Sequence, residues 1–221
     1  MVREQYIEGL KEIERGAISI GEMVVTALQD AINALMKHDS ELAYEVVSND
    51  IKINKKRWKV EEKSVLLIAT QQPVAKDLRE IIAILNIITD FERMGDHAQG
   101  IAKVMLLLES EPPMRTLQTV FDMSQVVIDM IKRCISALIE RDIKEALRIF
   151  KQDDIVDNYY TKIFDEIVSY EKDNPKRFKV GTYFLWIAHD LERIADRVAN
   201  VCERIVYLVH GEMENLDTFN G

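Results

Sequence analysis

The chain has 221 residues, of which 48% are hydrophobic and 30% charged, and its formal net charge is −9. This acidic balance argues against nucleic-acid binding, because such proteins neutralise phosphates with an excess of lysine and arginine. Eight glycines and four prolines are few for this length, which favours long helices and an all-α fold. No apolar stretch reaches about 18 residues, so we expect a cytoplasmic protein without direct membrane insertion.

Helix-breaking residues divide the chain into six predicted helices. The breaks fall at His38-Asp39, Gln72-Pro73, Pro112-Pro113, Arg141-Asp142 and Asn174-Pro175. Asp39 and Asp142 are predicted N-caps, because a short carboxylate accepts hydrogen bonds from first-turn N–H groups. Pro73 and Pro175 are predicted in the first turn of the following helices, where a missing N–H is tolerated.

The two halves of the sequence resemble each other. The stretch LMKHDSELAYEVVSND (35–50) aligns with LIERDIKEALRIFKQD (138–153), and TDFERMGDHAQGI aligns with HDLERIADRVANV. Such a repeat predicts two tandem three-helix bundles of similar structure. With the double proline as the boundary, we expect domains at residues 1–110 and 114–215 and a polar tail at 216–221.

Acidic pairs recur at equivalent places in both halves. The third helix of each half carries one pair, Glu92 with Asp96 and Glu192 with Asp196. Each pair lies on one helical face, because residues four apart are neighbours there. These pairs lie at the edge of the apolar stripe of their helix.

The second helix of each half carries a further pair. Asp50 with Asn54 corresponds to Asp153 with Asp157, and both pairs fall on the predicted apolar face. An ionised carboxylate removed from water there is usually paired, protonated or bound to metal.

Side-by-side packing of the second and third helices would bring these acids together as a cation site. Oxygen ligands favour Mg²⁺, Ca²⁺, Mn²⁺ or iron. We expect the second bundle to bind more tightly, because Asp157 replaces Asn54 and His189 replaces Thr89. The predicted metal ligands are Asp50, Asn54, Glu92, Asp96, Asp153, Asp157, His189, Glu192 and Asp196.

Intrahelical ion pairs are the alternative interpretation of the third-helix acids. Arg93 lies three residues from Asp96, and Arg193 lies three residues from Asp196, so these acids need no metal if the pairs form. The protein would then be a metal-free helical adaptor. A carboxylate-bridged di-iron enzyme is a further alternative, but its usual Glu-x-x-His motif does not occur in this sequence.

The remaining reactive residue types give no catalytic site. Four histidines stand without a serine or cysteine partner at a recognisable spacing, and His38, His97 and His210 are predicted at the surface or in loops. The two cysteines, far apart and without a CxxC spacing, are predicted to be buried apolar groups rather than a disulfide. The two tryptophans are predicted to be core or interface anchors.

Three motifs make the chain resemble the PhoU family of phosphate-transport regulators over nearly its full length. They are QQPVAKDLR (71–79), DFERMGDHAQGIA (90–102) and DLERIADRVANV (190–201). The resemblance implies two three-helix bundles that can carry multinuclear iron or zinc on the acidic motifs. Asn54 departs from the family pattern, because it stands where the second half has an acid.

The resemblance also implies a function without catalysis. It implies a homodimeric negative regulator that binds the ATPase subunit of the phosphate ABC transporter and a phosphate-sensing histidine kinase. Such a regulator would lower phosphate uptake and starvation signalling when phosphate is plentiful.

Overall fold

A computed structural model describes residues 2–109, 116–173, 178–212 and 216, and all regular structure within these ranges is helical. The helices are α1 (Val2–Lys37), α2 (Ser40–Gln71), α3 (Lys76–Leu108), α4 (Thr116–Glu140), α5 (Ile143–Phe150), α6 (Asp153–Asp173) and α7 (Phe178–His210). The predicted all-α class is therefore confirmed. Within these ranges no helix is both long and apolar enough to cross a bilayer.

Both predicted N-caps are confirmed. The Asp39 carboxylate accepts a hydrogen bond from the Leu42 N–H at 3.0 Å, and the Asp142 carboxylate accepts one from the Glu145 N–H at 3.1 Å. Each cap follows a residue with positive φ, His38 at 51° and Arg141 at 56°. The two halves therefore make the same sharp turn before their second helix.

Two predictions about helix boundaries are wrong. Pro73 lies in the linker between α2 and α3 rather than in the first turn of α3, which begins at Lys76. The second helix of the second half is divided into α5 and α6, so the described residues contain seven helices instead of six. The double proline at 112–113, Pro175 and most of the tail at 216–221 lie outside the described residues.

The division between α5 and α6 has a local cause. Two consecutive aspartates, Asp153 and Asp154, favour a helix N-terminus over a helix interior, where the dipole offers no compensation. Arg133 of α4 braces the turn by donating hydrogen bonds to Gln152 at 2.9 Å and to Glu145 at 2.7 Å. Asp153 is thus placed in the first turn of α6.

Helices α1 to α3 form the first bundle and α4 to α7 form the second. The second core includes Cys134 of α4 and Cys202 of α7, both fully buried and free, with their sulfur atoms 3.9 Å apart. Trp58 and Trp186 are each about half exposed, so they do not belong to the core, and the other predicted role, as interface anchors, stays a prediction.

The two bundles meet where α3 packs along α7 and α1 packs against α4. Both α3 and α7 carry apolar side chains that are completely excluded from water, such as Phe91 and Ala98 of α3 and Leu191 of α7. Their contact also holds two polar pairs at equivalent positions of the repeat. Arg197 of α7 lies 3.4 Å from Asp90 of α3, and His97 of α3 hydrogen-bonds Asp190 of α7 at 2.8 Å.

These two polar pairs differ in their surroundings. Asp90 is buried and accepts a further hydrogen bond from Asn200. Asn200 corresponds to Gly100 in the other half, where an added Cβ would come within 2.6 Å of the Asp190 carboxylate. Gly100 therefore leaves the space that Asp190 needs to reach His97.

Replacing Arg197 with alanine should destabilise the protein by about 2 kcal/mol, because the Asp90 carboxylate would remain buried after losing its ion-pair partner. Urea unfolding followed by circular dichroism measures this change. Arg148→Ala is the matched control, since Arg148 pairs with Glu145 at the exposed surface and should cost below about 0.5 kcal/mol. Equal losses in the two variants would contradict the role given to the Asp90 pair.

Candidate metal centres

The first acidic cluster forms where α2 packs against α3. Asp50 of α2 faces Gly95 of α3, and a Cβ at Gly95 would lie 3.7 Å from Asp50 Oδ1 and 3.0 Å from the Ile53 side chain. The glycine thus lets the two helices approach closely. Burial, followed by the nearby charge of Asp96, raises the pKa of Asp50. Burial and the Asp96 charge likewise raise the pKa of Glu92.

Asp50 and Asn54 are joined by a direct hydrogen bond. The Asn54 amide donates to Asp50 Oδ2 at 2.9 Å. Asp50 Oδ1 is buried and finds no hydrogen-bond partner among the described residues. Such an atom is costly unless a cation or a water satisfies it.

Arg57 is a member of this cluster that sequence reasoning missed. Its Nε lies 3.5 Å from Glu92 Oε1, and its Nη1 pairs with Glu61 at 2.9 Å. The signal was present in the sequence, since Arg57 lies on the face of α2 that carries Asp50 and Asn54. Its equivalent in the repeat is the uncharged Tyr160.

The second cluster forms where α6 packs against α7. Burial, followed by the charges of Asp196 and Asp157, raises the pKa of Asp153 to about 6. Burial and the charges of Glu192 and Asp196 raise the pKa of Asp157. The predicted four acids of the second bundle are therefore close enough to repel one another across the two helices.

Repulsion in the second cluster has a defined effect on the metal-free fold. Asp153 titrates near 3.8 as an isolated group and near 6 in the folded protein, so the folded state retains a proton between these values that the unfolded chain has lost. The stability that Asp153 contributes while protonated is therefore lost as the pH rises through about 6. A bound cation would remove the same penalty at neutral pH.

Two basic residues of α7 lie beside the second cluster. His189 Nδ1 is 3.1 Å from Glu192 Oε2, and Arg193 pairs with Asp196 at 2.9 Å. His189 thus stands next to the acids with which it was grouped. The intrahelical Arg193–Asp196 pair of the alternative interpretation also forms.

The residues present suit a cation, although their side chains are not gathered around one point. Within the described ranges, no three His, Cys, Asp or Glu side chains are close enough to hold one ion. Asp153 Oδ1 is buried without a hydrogen-bond partner there, as is Asp50 Oδ1 in the first half. Both unsatisfied oxygens come from hard carboxylates at helix seams, which is the donor chemistry of Mn²⁺, Mg²⁺ and iron.

The structure changes two of the expectations drawn from the sequence. Asp157 and Asp96 are exposed, whereas Asp50, Asn54 and Asp153 are only half-buried, so the expectation that the α2 and α6 pairs lie within the apolar face is too strong. His97 was expected at the surface or in a loop, but it is partly buried on α3 and bound to Asp190. His38 and His210 are exposed, as predicted.

Comparison with known proteins identifies the family. A model of the PhoU domain matches residues 18–105 and again residues 120–205. The chain belongs to the PhoU family. A PhoU homologue from Clostridium acetobutylicum, named phosphate-specific transport system accessory protein, is 35% identical over 98% of this chain and its own full length.

Solved PhoU structures have the same fold. The phosphate transport system regulatory protein PhoU from Streptococcus pneumoniae superposes with a TM-score of 0.87 at 32% identity, over 95% of this chain and 99% of the other. PhoU from Pseudomonas aeruginosa gives a TM-score of 0.90 at 31% identity, over 94% and 100%. The predicted pair of tandem PhoU-type bundles is confirmed, and the family is one of regulatory accessory proteins, which removes the di-iron enzyme alternative.

Unequal metal binding is the testable consequence of the two clusters. The double variant Asn54→Asp, Arg57→Gln gives the first cluster a fourth acid and removes the positive charge of Arg57. The affinity of this cluster for Mn²⁺ should therefore rise by about tenfold or more. Asp153→Asn with Asp157→Asn should abolish the tighter of two binding steps. Isothermal titration calorimetry of protein stripped with chelator measures both effects.

A charge-matched control separates local from global electrostatics. Asn33→Asp with Arg15→Gln makes the same charge change at exposed positions of α1 and should leave both steps unchanged. Two binding steps of equal affinity in the wild-type protein would contradict the predicted difference between the clusters. An equal rise in Mn²⁺ affinity in the control variant would contradict it as well.

Proposed function

We propose that this protein is a cytoplasmic, homodimeric negative regulator of phosphate uptake and phosphate-starvation signalling. It acts by binding the ATPase subunit of the phosphate ABC transporter and the phosphate-sensing histidine kinase. The observation that carries the proposal is the match of two PhoU domains, together with relatives named as accessory proteins of the phosphate-specific transport system. These relatives are covered along their whole length.

The geometry of the bundles supports a role through protein contacts. Long helices present continuous outer faces, whereas the sequence shows no serine or cysteine at a recognisable catalytic spacing from a histidine. Metal, when bound, would link α2 to α3 through Asp50, Glu92 and Asp96. It would link α6 to α7 through Asp153 and Glu192, with Asp157, Asp196 and His189 beside them. A cation held between two helices stabilises the folded state without chemistry.

A metal-free adaptor is the second candidate. The observation that favours it is the set of ion pairs already formed by the acids, Arg57 with Glu92 and Arg193 with Asp196. Elemental analysis of protein purified without chelator separates the two candidates. Stoichiometric iron, zinc or manganese supports the metal-binding regulator, and metal below one equivalent from cells grown with added metals supports the adaptor.

Deleting the gene should raise phosphate uptake and starvation-gene expression severalfold in cells grown with abundant phosphate, because the inhibitory contacts are lost. Uptake of labelled phosphate and a starvation-promoter reporter measure the two effects. Wild-type protein supplied from a plasmid should restore repression, and tagged protein should retain the transporter ATPase or the kinase during purification. Unchanged uptake and unchanged reporter expression in the deletion strain would overturn the proposal.

A further inference from the structure

The outer face of α2 carries large apolar side chains that no part of the described chain covers. Tyr44, Ile51, Trp58 and Val65 are 64%, 45%, 51% and 57% exposed. They recur every seven residues and form one continuous stripe, which is called here the α2 stripe. Over 21 residues it extends about 31 Å along the helix.

The spacing of the α2 stripe indicates what would cover it. A seven-residue apolar repeat drifts slowly around a helix and follows the seam of a left-handed helix pair. The stripe is narrow, because Ser48 and Glu62 stand between its members and are exposed. A membrane surface requires a broader apolar face, so a partner helix suits this narrow stripe better.

Lysines line one side of the α2 stripe. Lys52, Lys55 and Lys59 are exposed, and none of them forms an ion pair within the described ranges. The side chains lie within about 100° of the stripe on the helical wheel. In a chain of net charge −9, this row is a local excess of positive charge that favours an acidic partner.

The fold itself does not require this surface. The repeat places Leu147, Asp154, Thr161 and Val168 at the positions equivalent to the stripe, and Ile155, Asn158 and Lys162 at those of the three lysines. The second bundle therefore has the same architecture without the apolar heptad or the basic row. These features of α2 are additional to what holds a bundle together.

We propose that the α2 stripe and its lysine row form a docking surface for an α-helix of a partner protein, with apolar residues at heptad spacing and acidic residues beside them. The apolar side chains of the stripe supply contact area, with Trp58 near the centre as the anchor. The lysines select acidic flanks and fix the register of the partner helix. This inference does not depend on phosphate being the signal.

The test uses two labelled synthetic helical peptides, each about four heptads long. Both carry leucine at the seam positions, and they differ only in glutamate or lysine at the flanking positions. Fluorescence anisotropy with the full chain should show binding of the glutamate peptide at least about tenfold tighter than the lysine peptide. Added salt should weaken the glutamate complex.

Variants assign the binding to α2. Trp58→Ala should weaken the binding of the glutamate peptide by about tenfold or more. Trp186→Ala removes an equally exposed tryptophan from α7 and should leave this binding unchanged. Replacing Lys52, Lys55 and Lys59 with glutamate should reverse the preference between the two peptides. The same replacement at three exposed lysines of the second bundle, Lys132, Lys144 and Lys162, should leave the preference for the glutamate peptide unchanged.

Four results would overturn the proposal. They are failure of both peptides to bind, equal binding of the two peptides, and binding that the α2 variants do not change. The fourth is occupation of the stripe by something else. That is shown by self-association in analytical ultracentrifugation that Trp58→Ala abolishes, or by tighter binding to phosphatidylglycerol vesicles than to the glutamate peptide.

Discussion

The packing of α3 along α7 is the contact on which the rest of the molecule depends. Each of these helices belongs to one bundle and also forms the boundary with the other, so both must be apolar over much of their circumference. Two polar pairs lie within this contact, Arg197 with Asp90 and His97 with Asp190, and the Asp90 carboxylate is buried. A buried carboxylate with an arginine partner gives weak net stabilisation but penalises any register in which the two do not meet. We therefore infer that these pairs fix the register in which α3 packs along α7, and with it the relative position of the two bundles.

This contact also determines where the candidate metal centres lie. Asp90 and Glu92 are two residues apart and point to different sides of α3, one toward the other bundle and one toward α2. Their counterparts Asp190 and Glu192 do the same on α7. Once α3 and α7 are locked together, each acidic motif faces the second helix of its own bundle. In each half, one short acidic motif therefore supplies both the aspartate of the contact between the bundles and the glutamate of the acidic cluster within the bundle.

The two clusters have diverged in charge while keeping their position. In the first, Asn54 donates a hydrogen bond to Asp50, and Arg57 lies beside Glu92. In the second, Asp153 has four further acids nearby, Asp154, Asp157, Glu192 and Asp196, and a pKa raised to about 6. Arg57 partly neutralises the first cluster, whereas the second retains more uncompensated negative charge that a bound cation would neutralise.

The sequence alone was sufficient for the helical class, the internal repeat and both N-caps, because apolar periodicity and aspartate at the helix start are local signals. It also grouped Asp153 with Glu192 and Asp196. It could place Arg57 on the face of α2 that carries Asp50 and Asn54, but not beside Glu92, because that contact depends on how α2 lies against α3. It also could not reveal the binding of His97 to Asp190 across the bundles. The break before Asp153 was missed because the apolar pattern continues through it, and the turn is held by Arg133 from another helix.

Anomalous diffraction from crystals loaded with limiting Mn²⁺ would test the central claim most directly. The account predicts that the first anomalous peak appears among Asp153, Asp157, Glu192 and Asp196, with a peak near Asp50, Glu92 and Asp96 only at higher metal concentration. Equal peaks at both clusters, or metal bound elsewhere with both clusters empty, would contradict it.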